Sequence, residues 1–309
     1  MGMLINGKWD DVLDRSMVSG TYRREQSALP TAIDAHTLQQ LDKEHDRFFL
    51  IASASCPWSH GAVITIVLTG LQEAVKVQWA GGPRREGYGL LPGGPLPNRS
   101  EFQHVHQFYT STISDYTGRA TVPILWDAKQ SHILSNSSTD IMVAFSTISK
   151  SADLHPATLR NKIDELISYI FNDLSNAVYR AGKSQRQKEY DQAVDLVFRT
   201  LDELEDRLEG STFLFGNDLT LADIRLFATL IRFDTVYATH FRCTRKRLVD
   251  YPRLWRFTRR IFQLPGIRQT VDFEEIRYGY YINDGDHNPH GIIGQQPEID
   301  WESHEGLTD

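Results

Sequence analysis

The segment leading into Cys56 constrains the fold of this chain more than any other feature. An apolar run at 47–52, with the letters RFFLIA, has the length and composition of a buried strand. Pro57 follows Cys56 and suits the first turn of a helix, because its missing N–H would have no partner there. The apolar stretch at 62–71 continues as a buried helix. The sequence therefore predicts a strand, a turn that carries Cys56 and a helix, which together begin an α/β domain.

The part of the chain after this helix continues the α/β pattern. Strand patterns recur at 75–79 and 121–127, and the Gly- and Pro-rich loop at 81–99 between them is long enough to be functional or mobile. Pro123 cannot donate a ladder hydrogen bond, so it indicates a sheet edge or a special turn. Cap residues at 135–140 precede an apolar run and predict a second helix.

The second half of the chain has a different character. Thr220 with an acidic residue three positions later, Asp223, has the spacing of a helix capping box. Apolar residues recur at helical spacing over 159–178, 190–208, 221–237 and 251–263. The predicted organisation is a polar and irregular N-terminal extension at 1–45, an α/β domain at 46–149, an all-helical domain at 150–282 and a polar tail at 283–309.

Composition excludes several classes of protein. A net charge of −7 leaves no domain-wide basic surface, so we expect no nucleic-acid partner. The two cysteines, Cys56 and Cys243, cannot build a disulfide scaffold or a four-cysteine metal site. No apolar stretch approaches bilayer length and the N-terminus lacks a secretory pattern, so we expect a cytoplasmic protein without membrane association. The Asp- and His-containing loop at 284–290 lacks ligand spacing, and we expect no metal.

Cys56 is the strongest candidate for chemistry. Unpaired N–H groups and the helix dipole favour negative charge at a helix start, so this position favours a thiolate. Ser59 stands where a redox-active Cys-x-x-Cys motif would have its second cysteine. Mixed-disulfide chemistry with a small thiol is then more natural than dithiol oxidation. The alternative is that Cys56 is a buried structural cysteine.

Other polar features have plainer interpretations. Cys243 is flanked by Arg242 and Arg245 and is interpreted as a bystander. His104 and His106 alternate on a polar segment and are expected to be solvated. The basic residues between 242 and 260 predict a solvated helix face, with an anionic ligand or a dimer contact as the alternative.

Several motifs in a fixed order resemble one known family. The matching segments are CPWSH at 56–60, YTGRATVPILWD at 116–127, VYRAG at 178–182, LTLADIRLF at 219–227, RFDTVY at 232–237 and HFRC at 240–243. This set resembles the Xi-class glutathione transferases, the glutathionyl-hydroquinone reductases. The resemblance implies a thioredoxin-like α/β N-terminal domain followed by an all-α C-terminal domain, which is the glutathione transferase fold, and it implies a homodimer.

The resemblance also implies an activity. Cys56 would attack the sulfur of a glutathionyl-hydroquinone, release the hydroquinone and keep glutathione as a mixed disulfide, which a second glutathione resolves. The expected partner is thus a small aromatic thioether or quinone, and glutathione is the expected co-substrate. Tyr179, Tyr237 and Tyr280 match tyrosines of the aromatic acceptor pocket, where a phenol stacks on the quinol and donates a proton.

The same resemblance assigns contacts to glutathione. Pro123 matches a cis-proline that lets the Val122 backbone pair with the tripeptide as an added strand. Arg119 matches an arginine that meets a carboxylate, and Ser138 matches a serine that holds the γ-glutamyl carboxylate with helix-start N–H groups. The implied cofactor-binding set is Tyr88, Arg119, Val122, Pro123, Ser137 and Ser138.

The chain departs from the family pattern where the thiol should bind. Ser137 replaces an acidic residue, Tyr88 replaces a tryptophan and Gly61 replaces an arginine. The tail at 283–289 differs as well. These departures leave open a different small thiol, such as mycothiol, a specialised substrate, or relaxed selection on glutathione binding. They also leave a second hypothesis, a non-catalytic ligand-binding or scaffold protein on the same fold.

Overall fold

The computed structural model describes residues 2–12, 16–18, 20–23, 29, 33–97, 101–285 and 287–304. Parts of the predicted extension, of the Gly- and Pro-rich loop and of the polar tail lie outside these residues. The strands are β1 (Met3–Ile5), β2 (Lys8–Asp10), β3 (Met17–Val18), β4 (Thr21–Tyr22), β5 (Phe48–Ala52), β6 (Val75–Gly81), β7 (Gly89–Leu90), β8 (Ile124–Asp127) and β9 (His132–Ser135).

Ten α-helices lie in the described part of the chain, and short π and 3₁₀ turns follow some of them. They are α1 (Ala35–Lys43), α2 (Pro57–Thr69), α3 (His106–Thr112), α4 (Ser138–Thr147), α5 (Arg160–Tyr169), α6 (Asn176–Lys183), α7 (Gln187–Arg207), α8 (Leu221–Leu230), α9 (Pro252–Phe262) and α10 (Phe273–Tyr281). None of the described helices combines the length and the apolar composition that a bilayer crossing requires.

A five-stranded sheet organises the first half of the chain. Its strand order is β7-β6-β5-β8-β9, with β5 parallel to β6 and antiparallel to β8. Every residue of β5 and β8 is buried, which explains the apolar runs that predict these strands. The helix between the two parallel strands, α2, is buried over most of its surface and ends at Gly70 in the left-handed conformation. The predicted strand–helix–strand start is confirmed.

The N-terminal segment is more ordered than its composition predicts. β1 and β2 form an antiparallel hairpin, and the backbones of Leu4 and Gly118 exchange two hydrogen bonds of 2.9 Å. α1 begins after Asp34, whose carboxylate accepts the Thr37 N–H. The sequence carried a signal for this helix in Asp34 and the buried Leu41. The interpretation of the whole extension as irregular is wrong for these two elements.

The second half of the chain is helical, as predicted. The longest helix, α7, buries residues at 3- and 4-residue intervals along one face. The predicted capping box of α8 is confirmed: Asp223 Oδ2 accepts the Thr220 N–H at 2.8 Å, and its Oδ1 accepts the Leu214 N–H at 2.7 Å. Burial raises the pKa of Asp223 to about 6, while these hydrogen bonds act in the opposite direction.

The chain divides into two compact units. The sheet unit comprises 1–16, 24–153 and 274–292, and the helical unit comprises 17–23, 154–273 and 293–309. The domain ranges predicted from the sequence assign α10 to the all-helical domain and treat 283–309 as a separate tail. The structure instead assigns 274–292 to the sheet unit and 293–309 to the helical unit. Asn283 accounts for one difference, because its amide donates to the Gly82 carbonyl of the sheet unit. The domain ranges from the sequence stay predictions.

Candidate active site

Cys56 stands at the start of α2 inside the sheet unit. It is the N-cap residue of the helix, and Pro57 is the first helical residue, as predicted. Its N–H donates to the Ser53 carbonyl at 3.0 Å, and its Sγ lies 3.6 Å from the Val122 carbonyl oxygen. The side chain is 6 % exposed. The thiol is therefore held between a helix N-terminus and the backbone of a second segment.

That second segment contains the predicted proline turn. The Val122–Pro123 peptide bond is cis. Val122 precedes β8 and makes no backbone–backbone hydrogen bond with the described part of the chain. Because β8 lies between β5 and β9, Pro123 marks a special turn and not a sheet edge. The Val122 N–H, which has no backbone partner among the described residues, fits the strand-like pairing that a thiol tripeptide needs.

Tyr109, a buried residue of α3, connects two segments of the site. This role was not predicted from the sequence. Its hydroxyl donates to the Thr121 carbonyl at 2.9 Å and accepts the Thr121 N–H at 3.1 Å. It also accepts the Asn136 amide N–H at 3.0 Å. Burial raises the pKa of Tyr109 to about 12, so the phenol keeps its proton near neutral pH. The hydroxyl thus joins the segment before Val122 to the segment before α4.

The start of α4 carries the two serines that the resemblance assigns to the thiol. Ser137 is the N-cap residue, and its Oγ accepts the Asp140 N–H at 3.3 Å. Ser138 is the first helical residue and is buried. N–H groups at a helix start favour a carboxylate, so this position fits the predicted γ-glutamyl contact. Ser137 acts here as a helix cap.

Tyr88 is buried within electrostatic range of several predicted residues. Burial raises its pKa to about 12. The charges of Cys56 and Tyr280 raise that pKa further, and the charges of Arg84 and Arg119 lower it. The structure therefore brings four of the predicted residues within electrostatic range of one another. Arg84 is a fifth member of this group that the sequence did not reveal.

A ring stack and a hydrogen bond support the loop that carries Tyr88. Trp9 of the N-terminal hairpin stacks on His106 with ring centroids 5.0 Å apart, and His106 Nε2 lies 2.9 Å from Glu86 Oε1. A Cβ at Gly87 would lie 3.0 Å from the Trp9 ring, and Gly87 has a φ of +67°. The expectation that His106 is solvated is wrong, because this stack buries it. His104, half-buried beside it, stacks on the same ring.

Tyr179 and Tyr237 lie in the helical unit, whereas the other predicted site residues lie in the sheet unit. Their ring centroids are 6.2 Å apart, and both contact Phe241, which stacks on Tyr237 at 5.5 Å. Tyr22 stacks on Tyr179 at 6.0 Å. The two tyrosines thus belong to one aromatic cluster, of which Tyr22 and Phe241 were not predicted.

Two further expectations concern the helical unit. Cys243 is fully buried, and burial raises its pKa to about 12, which leaves the thiol protonated and inert near neutral pH. The basic segment is only partly a solvated face, because Arg259 is buried over the Trp255 ring and donates to the Ser303 carbonyl.

Among the described residues, no group of three His, Cys, Asp or Glu side chains could hold a metal ion.

The chain is similar to known glutathione-dependent proteins. The model of the glutathione S-transferase C-terminal domain matches residues 187–260. Glutathionyl-hydroquinone reductase YqjG of Escherichia coli is 38% identical over 99% of this chain and 98% of its own length. Glutathionyl-hydroquinone reductase PcpF of Sphingobium chlorophenolicum is 36% identical over 96% of each chain.

Solved structures agree with this similarity. The Xi-class transferase from Natrialba magadii superposes with a TM-score of 0.87 at 33% identity, covering 98% of this chain and 96% of its own. The glutathione-bound structure of Escherichia coli YqjG gives a TM-score of 0.84 at 36% identity, covering 99% of each chain. The predicted glutathione transferase fold is confirmed. The chain belongs to the Xi-class glutathione transferases, the family of the glutathionyl-hydroquinone reductases.

Proposed function

We propose that this protein is a glutathionyl-hydroquinone reductase with Cys56 as its nucleophile. The Cys56 thiolate attacks the sulfur of the adduct and forms a sulfur–sulfur bond, while the carbon–sulfur bond breaks. The electron pair of that bond goes to the aromatic carbon, which takes up a proton, and the free hydroquinone leaves. A glutathione thiolate then attacks the mixed disulfide, giving glutathione disulfide and the Cys56 thiolate.

One observation carries this proposal: the Sγ of Cys56 lies at the N-terminus of α2 and 3.6 Å from the Val122 carbonyl oxygen. Cys56 is the N-cap residue of that helix, where unpaired N–H groups give the backbone a partial positive charge. Val122 offers backbone groups beside the thiol to which a peptide-like thiol can pair. The names of the relatives favour an enzyme over a non-catalytic scaffold.

The remaining thiol contacts belong to this proposal. Arg119 and the N-terminus of α4 with Ser138 would each bind a carboxylate of glutathione, and Tyr88 would offer its ring face. Ser137 caps α4 and supplies no negative charge for the ammonium of glutathione. The natural thiol is therefore glutathione or another low-molecular-weight thiol with a similar carboxylate.

The acceptor side of the site is aromatic in this proposal. Tyr280 lies in the sheet unit, where its charge raises the pKa of Tyr88. Tyr179 and Tyr237 belong to the aromatic cluster of the helical unit. A phenol that stacks on the quinol can also deliver the proton that the leaving group requires. We further propose that the protein is cytoplasmic and forms a homodimer. Light scattering of the purified protein would test the dimer.

Replacing Cys56 tests the proposal directly. Cys56→Ser should abolish release of hydroquinone from glutathionyl-hydroquinone, because serine cannot form the mixed disulfide. Cys243→Ser is the matched control and should keep wild-type turnover, since the buried Cys243 thiol stays protonated. Mass spectrometry of wild-type protein mixed with substrate alone should show one added glutathione, on Cys56. Turnover by Cys56→Ser, or an adduct on Cys243, would refute the assignment.

A further inference from the structure

Arg84 is a cation next to the turn that carries Cys56, and the proposed reaction does not yet use it. Its guanidinium carbon lies 4.1 Å from the centre of the Tyr88 ring. Its Nη2 donates to Ser55 Oγ at 3.1 Å, and Ser55 directly precedes Cys56. The guanidinium is thus fixed against one wall of the site by a stacking contact and a hydrogen bond.

The backbone of Arg84 is fixed as firmly as its side chain. Its N–H donates to the side-chain oxygen of Asn283 at 2.7 Å. The Asn283 amide donates in turn to the carbonyls of Gly82 at 3.3 Å and Gly279 at 3.0 Å. These bonds tie the Arg84 loop to the end of α10. The arginine therefore has a defined place relative to the helix that carries Tyr280.

Gly279 keeps α10 close to this arginine. A Cβ at position 279 would lie 2.4 Å from the Cβ of Ser55, which is a clash, and 3.9 Å from Arg84 Nη2. A larger residue would have to displace α10 or the Ser55 turn. Glycine thus leaves α10, the Ser55 turn and the Arg84 guanidinium packed against one another.

The charge of Arg84 lacks a counterpart within the described part of the chain. Arg84 forms no ion pair there, and its Nε is shielded from solvent without a hydrogen-bond partner. Arg47 has such a counterpart, because its Nε and Nη2 donate to the two oxygens of Asp127 at 3.0 and 2.6 Å. A shielded guanidinium N–H without an acceptor is unfavourable, and a carboxylate matches its geometry best.

We propose that Arg84 binds a carboxylate of the substrate, and that this carboxylate belongs to the aromatic acceptor. This inference rests on the proposed function. Tyr88, on whose ring Arg84 stacks, is also a proposed thiol contact, so it does not separate the two sides. The other contacts of Arg84 are Ser55 and the end of α10, the helix that carries the acceptor-side Tyr280. The thiol contacts at Arg119, Val122 and Ser138 lie on other segments. The preferred substrates are therefore glutathione adducts of hydroquinones that carry an acidic group on the ring.

Two adducts separate the acceptor carboxylate from the carboxylates of glutathione. The glutathione adducts of hydroquinone and of 2,5-dihydroxybenzoate share the thiol and differ by one ring carboxylate. The ratio of their kcat/KM values, carboxylated to neutral, reports the contribution of that group. We expect Arg84→Gln to lower this ratio about tenfold, mainly through KM, and Arg84→Lys to lower it less. Arg85→Gln, which removes an exposed neighbouring charge, should leave the ratio unchanged.

An unchanged ratio in Arg84→Gln would overturn the inference. If Arg84→Gln instead raises the KM for free glutathione but not for its glycine monoethyl ester, the carboxylate belongs to the thiol and the acceptor assignment is wrong. If the wild-type enzyme turns over neither adduct, the proposed function fails, and calorimetric binding decides the inference alone. Wild-type protein should then bind 2,5-dihydroxybenzoate about tenfold more tightly than Arg84→Gln does, and equal affinities would refute it.

Discussion

We expect removal of the Tyr109 hydroxyl to destabilise the segment that carries Val122 in the candidate thiol site. Tyr109 acts on this segment through its hydrogen bonds to Thr121. Tyr109→Phe keeps the buried ring and deletes one oxygen. That oxygen accepts the Thr121 N–H and the Asn136 amide and donates to the Thr121 carbonyl, at 3.1, 3.0 and 2.9 Å. Thr121 directly precedes Val122, whose carbonyl lies beside Cys56.

The magnitude follows from the groups that lose a partner. An unsatisfied buried neutral group costs about 1–3 kcal/mol. Thr121 is partly exposed, so water can replace some of these bonds, and we expect a net loss of about 2 kcal/mol in the free energy of unfolding of the sheet unit. If half of that cost falls on ordering the segment at 121–123 when the thiol binds, the KM for glutathione rises about fivefold.

Urea unfolding, steady-state kinetics with varied glutathione, and amide hydrogen exchange at 119–125 would measure these effects. Tyr190→Phe is the matched control, because its hydroxyl donates one hydrogen bond, to the Arg242 carbonyl, in the helical unit. It should cost less than about 1 kcal/mol and leave the KM unchanged. Wild-type stability, KM and exchange in Tyr109→Phe would refute the role of this hydroxyl.

Two further predictions concern other parts of the molecule. Burial lowers the pKa of His106, and the nearby Glu86 only partly opposes this shift. The folded state therefore binds the proton less well than the unfolded state, so His106 makes the protein less stable as pH falls below about 6.5. Thermal unfolding at pH 7.5 and 5.5 should show a smaller acid-induced loss in His106→Phe than in wild type, and equal losses would contradict this. Trp301→Ala should cost about 3 kcal/mol and make the tail at 293–304 sensitive to proteolysis, because Trp301 packs on Trp255, Phe262 and Phe273. The exposed Ile292→Ala should leave the tail resistant.

The elements that the sequence predicts correctly are those whose signals are local. The buried strand before Cys56, the proline at the start of α2 and the capping box of α8 each depend on neighbouring residues. A short apolar run or a cap residue contains the reason for its own structure. The sequence therefore placed Cys56 at a helix start without any knowledge of the tertiary structure.

The residues that sequence analysis missed depend on contacts between distant segments. Tyr109 matters because α3 brings its hydroxyl to Thr121 and Asn136. Arg84 matters because its loop meets Ser55 and α10, which are far from it along the chain. A lone tyrosine in a helix and an arginine in a loop carry no periodic or spacing signal. His106 was misjudged for the same reason, since its partner Trp9 lies in the N-terminal hairpin.

The division of the chain has a consequence for how this protein can be altered. The chain leaves the sheet unit briefly at 17–23, leaves it again after 153, returns at 274 and leaves once more after 292. The segment at 154–273 is therefore an insertion within the sheet unit's sequence. A fragment that stops at 153 lacks α10, and with it the Asn283 that holds the Arg84 backbone. Recombination between relatives that exchanges the segment at 154–273 thus needs paired breakpoints, since a single crossover within it would separate the Cys56 turn from α10, which packs on it.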